Sequence, residues 1–164
     1  MKTEPTVTTS KDTNPNFATR LERAREVVRL EAQAIAGLEA RLDERFSAAC
    51  EEVLKCEGHI VVSGMGKAGL VGQKISATLA STGTPSIFLH PGEALHGDLG
   101  RIRAKDVVLA MSNSGETEEL NALVPVARRI GAKVIALTGN GESTLAQRSD
   151  AVLDYGAVEE ACPM

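Results

Sequence analysis

The sequence predicts a three-layer αβα domain, a five-stranded parallel sheet covered on both faces and preceded by helices. Three observations point there. After Gly58, short apolar runs alternate with helical stretches, as repeated βαβ units require. Before Gly58, apolar residues recur at helical spacing. The only aromatic side chains are Phe17, Phe46, Phe88 and Tyr155, so the core is aliphatic, as suits buried parallel strands and Ala-rich helices.

Residues 1–16 are polar, rich in Thr and interrupted by Pro5 and Pro15, and read as a disordered tail. From about Phe17 to Glu57, Leu21, Ala24, Val28, Ile35, Leu38, Leu42, Phe46, Ala49 and Val53 follow helical periodicity. Gly37 marks a bend or a break there, and Gly58 closes the segment as a C-terminal cap. His59-Ile-Val-Val-Ser63 is the first strand and Lys67 to Ser81 the helix after it. Ser86 to Leu89 is the second strand and Asp106 to Met111 the third, followed by a helix from about Thr117 to Ile130. Lys133 to Leu137 is the fourth strand, Ser143 to Arg148 a short helix, and Ala151 to Asp154 the fifth strand.

Composition removes several function classes. A chain of 164 residues fits one domain. The net charge of −4 offers no basic footprint for a phosphate backbone, and an aromatic content of 2% offers no stacking platform, so no nucleic acid is expected. Cys50, Cys56 and Cys162 lack metal-like spacing and read as reduced thiols. Neither a signal peptide nor an apolar run of the ~20 residues that cross a membrane is visible. The expectation is a soluble cytoplasmic protein.

Ligands in such sheets bind at the carboxyl ends of the strands. Three loops lie there: Gly64 to Gly69, Ser112 to Thr117, and Thr138 to Glu142. Gly64-Met-Gly-Lys-Ala-Gly69 matches the G-x-G-x-x-G of dinucleotide sites. The acid such a site needs at the tip of the second strand is missing, because Leu89-His-Pro-Gly92 stands there and Glu93 lies beyond the turn. Lys67 falls in the first helical turn, where a cation opposes the helix dipole by roughly 0.3–1 kcal/mol. It reads either as an exposed lysine or as a contact for an anionic or oxyanionic partner.

Ser112-Asn-Ser-Gly-Glu-Thr-Glu-Glu119 carries the strongest signal. Ser112, Ser114 and Thr117 supply hydroxyls, Gly115 allows close backbone approach, and the first helical turn supplies unpaired N–H groups. Together they suit a phosphate cradle without a Walker-type lysine or a metal. A plain helix cap would explain one hydroxyl and the glutamates, but not the other hydroxyls or the glycine. His90 and His96 flank Glu93, yet a loop gives them no common face, so no metal is called for. His59, opening a strand, reads as structural.

This serine-rich octapeptide resembles the signature of sugar isomerase (SIS) domains. Gly64 to Gly69, Ala80-Ser-Thr-Gly-Thr-Pro85, His90 to Gly100 and Glu159-Glu-Ala-Cys-Pro163 resemble one branch, the D-arabinose 5-phosphate isomerases. The similarity runs from about Ala18 to the last residue. It implies a flavodoxin-like sheet and an aldose–ketose isomerase converting D-ribulose 5-phosphate and D-arabinose 5-phosphate through an enediol(ate). No cofactor is implied. The route would lead to the eight-carbon acid (Kdo) of lipopolysaccharide, and the protein would be a dimer or tetramer.

The resemblance also implies site residues. Lys67, His96, Glu119 and Glu160 would be catalytic, one glutamate being the enolising base. Ser63, Gly64, Gly66, Ser112, Asn113, Ser114, Gly115 and Thr117 would bind the pentose 5-phosphate. Family members continue past Ala-Cys-Pro into a helix that closes the sheet, a further catalytic histidine and usually a pair of CBS domains. The expectation is therefore a truncated SIS domain over residues 17–164 with an apolar face left open, its turnover in doubt. The rival reading is a sugar-phosphate-binding module without turnover.

Overall fold

The computed structural model describes residues 15–161, in two units: 15–37 with 159–161, and 38–158. Most of the expected tail, and Cys162, lie outside the described residues.

In the first unit, helix α1 spans Pro15–Gly37. It opens on proline, whose missing N–H costs nothing at a first helical position. Leu21, Val28 and Ile35, seven residues apart, stand exposed along it. Arg23 donates to the Ala161 carbonyl at 2.6 Å.

In the second unit, a 3-10 turn at Glu39–Arg41 precedes α2, Glu44–Leu54, so the helical segment breaks near Gly37 into two helices. Asp43 caps α2 by accepting from the Arg45 amide at 2.9 Å. Gly58 is not the helix cap that its position suggests. Helix α2 ends at Lys55 in ordinary right-handed backbone. A Cβ at Gly58 would lie 2.2 Å from Asp106 Oδ1, so glycine is required by close packing. The buried Asp106 carboxylate accepts there from the amides of His59 and Arg103, each at 2.8 Å. His59 enters this contact through its main-chain amide, while its imidazole stays exposed.

The strands are β1 (Ile60–Gly64), β2 (Ser86–Phe88), β3 (Val107–Met111), β4 (Lys133–Thr138) and β5 (Ala151–Asp154). All pair in parallel in the order β2-β1-β3-β4-β5, the doubly wound flavodoxin-like order. Helix α3 is Gly66–Ser81, α5 is Glu118–Ile130 and α6 is Thr144–Arg148. Two elements escape the sequence reading: α4 at Pro91–Leu95 and a 3-10 turn at Asp98–Arg101.

Alternation along the strands builds two cores. Val61, Val108, Ala110, Val134 and Ala136 pack with α4, α5 and α6 residues such as Ala94, Leu120, Leu123, Val124 and Leu145. Ile60, Val62, Val107, Met111 and Ile135 pack with Ala49 and Val53 of α2 and Ile75 and Leu79 of α3. On this second face an apolar groove stays open between α2 and α3, lined by Phe46, Ile75, Leu109 and Leu153 among others.

Helix α5 carries acids in its first turn, arginines in its last and Gly131 in the left-handed region just past its end. Pro125 inside it cannot donate to the Asn121 carbonyl. Arg148 of α6 takes the vacant place, its guanidinium 2.9 Å from Asn121 O. Asn121 in turn reaches back to the loop that precedes the helix.

Candidate active site at the carboxyl edge of the sheet

Strand order reverses between β1 and β3, and their ends are level, with Gly64 paired to Met111. The loops leaving these two strands therefore flank the crevice where doubly wound sheets hold their ligands.

On the β1 side, Met65 precedes α3 and offers no side-chain cap, and Gly66 lies in the left-handed region (φ +52°). A Cβ at Gly69 would meet the Gly64 carbonyl oxygen at 2.5 Å, so the third glycine of the motif lets helix and strand touch. Lys67 is exposed in the first turn of α3 and makes no ion pair among the described residues. Ser63 does not reach this loop: its hydroxyl is fully buried and donates to Leu89 O at 2.7 Å. It ties β1 to the segment after β2, so this hydroxyl is committed to the sheet.

On the β3 side, two of the loop's carbonyl oxygens are turned to the protein. Asn113 O accepts from Gly139 N at 3.0 Å and Thr138 Oγ1 at 3.3 Å. Gly115 O accepts from Leu145 N at 3.0 Å and Asn121 Nδ2 at 3.2 Å. The Ser112 hydroxyl is buried, 2.7 Å from Thr117 Oγ1, and accepts from Gly115 N at 3.0 Å. Ser112 and Thr117 thus lock the loop internally, while the exposed Ser114 hydroxyl accepts from Glu116 N at 3.1 Å. Thr117 precedes α5 without capping it, and the amides of Glu118, Glu119 and Leu120 meet no protein acceptor among the described residues. The helix N-terminus is left open, which is what an anion-binding end requires. A plain cap is therefore not what these hydroxyls form.

Glu116 anchors the loop to α6. Its carboxylate accepts from the Thr144 amide at 2.8 Å, and this contact holds it below the usual glutamate range. Glu119, half-buried, stands in the first turn of α5. His96, at the end of α4 and exposed, has Nδ1 2.8 Å from Gly92 O. A carbonyl only accepts, so Nδ1 carries a proton and the neutral ring keeps its lone pair on Nε2. His90 has a buried Nδ1 with no partner. Lys67, His96 and Glu119 thus all follow strands at the same edge of the sheet. Glu160 is exposed in the first unit.

Sequence reasoning missed residues that hold the serine loop from outside: Asn121, Thr144, Leu145 and Tyr155; it named Thr138 only as the start of a ligand loop. Only Asn121 carried a signal, standing four residues before a helical proline.

The SIS domain family model matches residues 53–164. The arabinose 5-phosphate isomerase KdsD of Escherichia coli K12 is 47% identical over 143 residues, covering 87% of this chain. The chain spans 44% of that relative's length. A crystal structure of a candidate sugar-phosphate isomerase from Listeria monocytogenes superposes with a TM-score of 0.83 at 30% identity, covering 87% of this chain and 75% of that one. An E. coli CFT073 protein solved in complex with A5P superposes at 0.77 with 34% identity, covering 91% and 78%. The parallel sheet, its strand order, the open serine loop and these matches agree: the chain belongs to the SIS domain family.

Proposed function

We propose that this chain is the isomerase domain of a protein that interconverts D-ribulose 5-phosphate and D-arabinose 5-phosphate through an enediol(ate). The observation that carries the reading is the serine loop, whose Asn113 and Gly115 carbonyls are engaged by protein while the N-terminus of α5 stays open at the topological switch point. Such a cradle suits the dianion of a sugar phosphate and needs no metal. The relatives named KdsD and the structure holding A5P support a pentose 5-phosphate as that ligand.

With the phosphate anchored, remote binding energy fixes C1 and C2 for proton transfer. We assign the enolising base to Glu119, half-buried beside the cradle, and keep Glu160 in the catalytic set with a role in hydroxyl proton transfer. Lys67, a cation at a helix N-terminus without an ion-pair partner among the described residues, stabilises the enediolate oxygen. His96 Nε2, free while Nδ1 is held by Gly92, moves protons between the sugar oxygens. Gly64 and Gly66 give the ligand room, and Asn113 and Ser114 contact the phosphate. The same reading extends to the supply of the Kdo precursor, a cytoplasmic location and a dimer or tetramer. No helix among the described residues is long and apolar enough to cross a membrane.

Calorimetric titration tests the ligand. Arabinose 5-phosphate should bind saturably and unphosphorylated arabinose should not. Ser112→Ala, which removes the bonds to Thr117 and Gly115, should weaken binding by roughly tenfold or more, the cost of losing a buried hydrogen-bonded hydroxyl. Equal binding of arabinose and its phosphate would refute the cradle.

A further inference from the structure

One residue that no motif contains holds the serine loop from the β5 side. Tyr155, the single tyrosine, leaves β5 and donates its amide to Thr138 O at 3.0 Å. Its hydroxyl donates to Asn113 Oδ1 at 2.8 Å, across 42 positions of sequence. The space around this contact is filled: a Cβ at Gly139 would lie 2.9 Å from Asn113 Oδ1 and 3.0 Å from Gly156 O. Asn113 is therefore gripped both by its main-chain carbonyl and by its side-chain oxygen. A phenol can donate or accept. Burial first, and then the Asp154 carboxylate, push the Tyr155 phenol above its usual value, so it keeps its proton and donates.

A carboxamide held by its oxygen presents its nitrogen, with two N–H donors, on the other side. The Asn113 side chain is exposed, and Nδ2 donates to no acceptor among the described residues. We propose that Tyr155 is a positioning residue for the phosphate loop: by holding Asn113 Oδ1 it turns the amide donors of Asn113 toward the ligand's phosphate. This inference rests on the sugar-phosphate reading of the site. It adds a residue just past the edge strand, outside the loop, that sets affinity for the anion and not the proton transfer.

The test uses the full 164-residue chain, titrated with inorganic phosphate and with arabinose 5-phosphate. Tyr155→Phe keeps the ring and removes only the donor. It should raise Kd for both ligands roughly ten- to a hundredfold, the range for one hydrogen bond to a charged group, with the melting temperature nearly unchanged. Asn113→Ala should do the same, and Tyr155→Phe should add nothing on that background, since both act through one contact. In the wild type, the side-chain amide resonances of Asn113 should move when phosphate is added; in Tyr155→Phe they should move less. Wild-type affinity in Tyr155→Phe, or additive losses in the double variant, would overturn the positioning role and leave the cradle standing. A wild type that binds neither ligand would instead sink the sugar-phosphate reading, and this inference with it.

Discussion

Gly115→Val is expected to weaken arabinose 5-phosphate binding at least about a hundredfold and to destabilise the chain by roughly 2–5 kcal/mol. Two independent costs meet at this position. The backbone sits in the left-handed region, φ +70°, where a β-branched residue is a true outlier. The new Cβ would stand 2.0 Å from Ser143 Oγ and 2.3 Å from Ser143 Cβ, so α6 or the loop must move. Either movement breaks the pair of bonds to Gly115 O and the bond from Gly115 N to Ser112 Oγ. Gly83→Ala is the control. It also sits at positive φ, +93°, but nothing lies within 4 Å of the added carbon. Only the backbone strain of about 1–2 kcal/mol should appear there, with ligand affinity unchanged. Thermal unfolding and calorimetry on both variants separate packing from strain.

The second large effect belongs to Glu119. Glu119→Gln should lower the rate of isomerisation by about 10²–10⁴-fold, the usual share of a general base, while arabinose 5-phosphate still binds. The variant is nearly isosteric. It removes a first-turn acid that favours the helix dipole by about 0.3–1 kcal/mol, too little to unfold α5. Removing a negative charge next to the cradle should, if anything, tighten phosphate binding. A loss of rate at unchanged or lower Kd is the mark of a group used in the transition state. Full activity in Glu119→Gln with loss in Glu160→Gln would move the base to the other glutamate.

Much of this architecture was legible from the amino-acid pattern, for physical reasons. The central strands β1, β3 and β4 are mostly buried and all five read as short aliphatic runs, so each can be placed within one or two residues of its bounds. The serine loop announced itself because hydroxyls, a glycine and acids fall within one short segment. Gly58 misled, because a glycine after a helix resembles a cap, whereas here it makes way for the buried Asp106 carboxylate. Helix α4 was hidden by Pro91 and Gly92, which read as loop although Pro91 serves as a helix start. Ser63 reads as the end of the first strand, but its bond to Leu89 O, across 26 positions, could not be read. The supports from Tyr155 and Thr144 could not be read at all, since they act across 42 and 28 positions and depend on the sheet being formed.

The central claim is that these residues enolise a pentose 5-phosphate. The direct measurement is incubation of the chain with D-arabinose 5-phosphate in D₂O, following the C1 and C2 proton signals by NMR. The account predicts ribulose 5-phosphate, or isotope exchange at the C2 of arabinose 5-phosphate, abolished in Glu119→Gln. Binding of the sugar phosphate without any exchange would contradict it and leave a sugar-phosphate-binding module in its place.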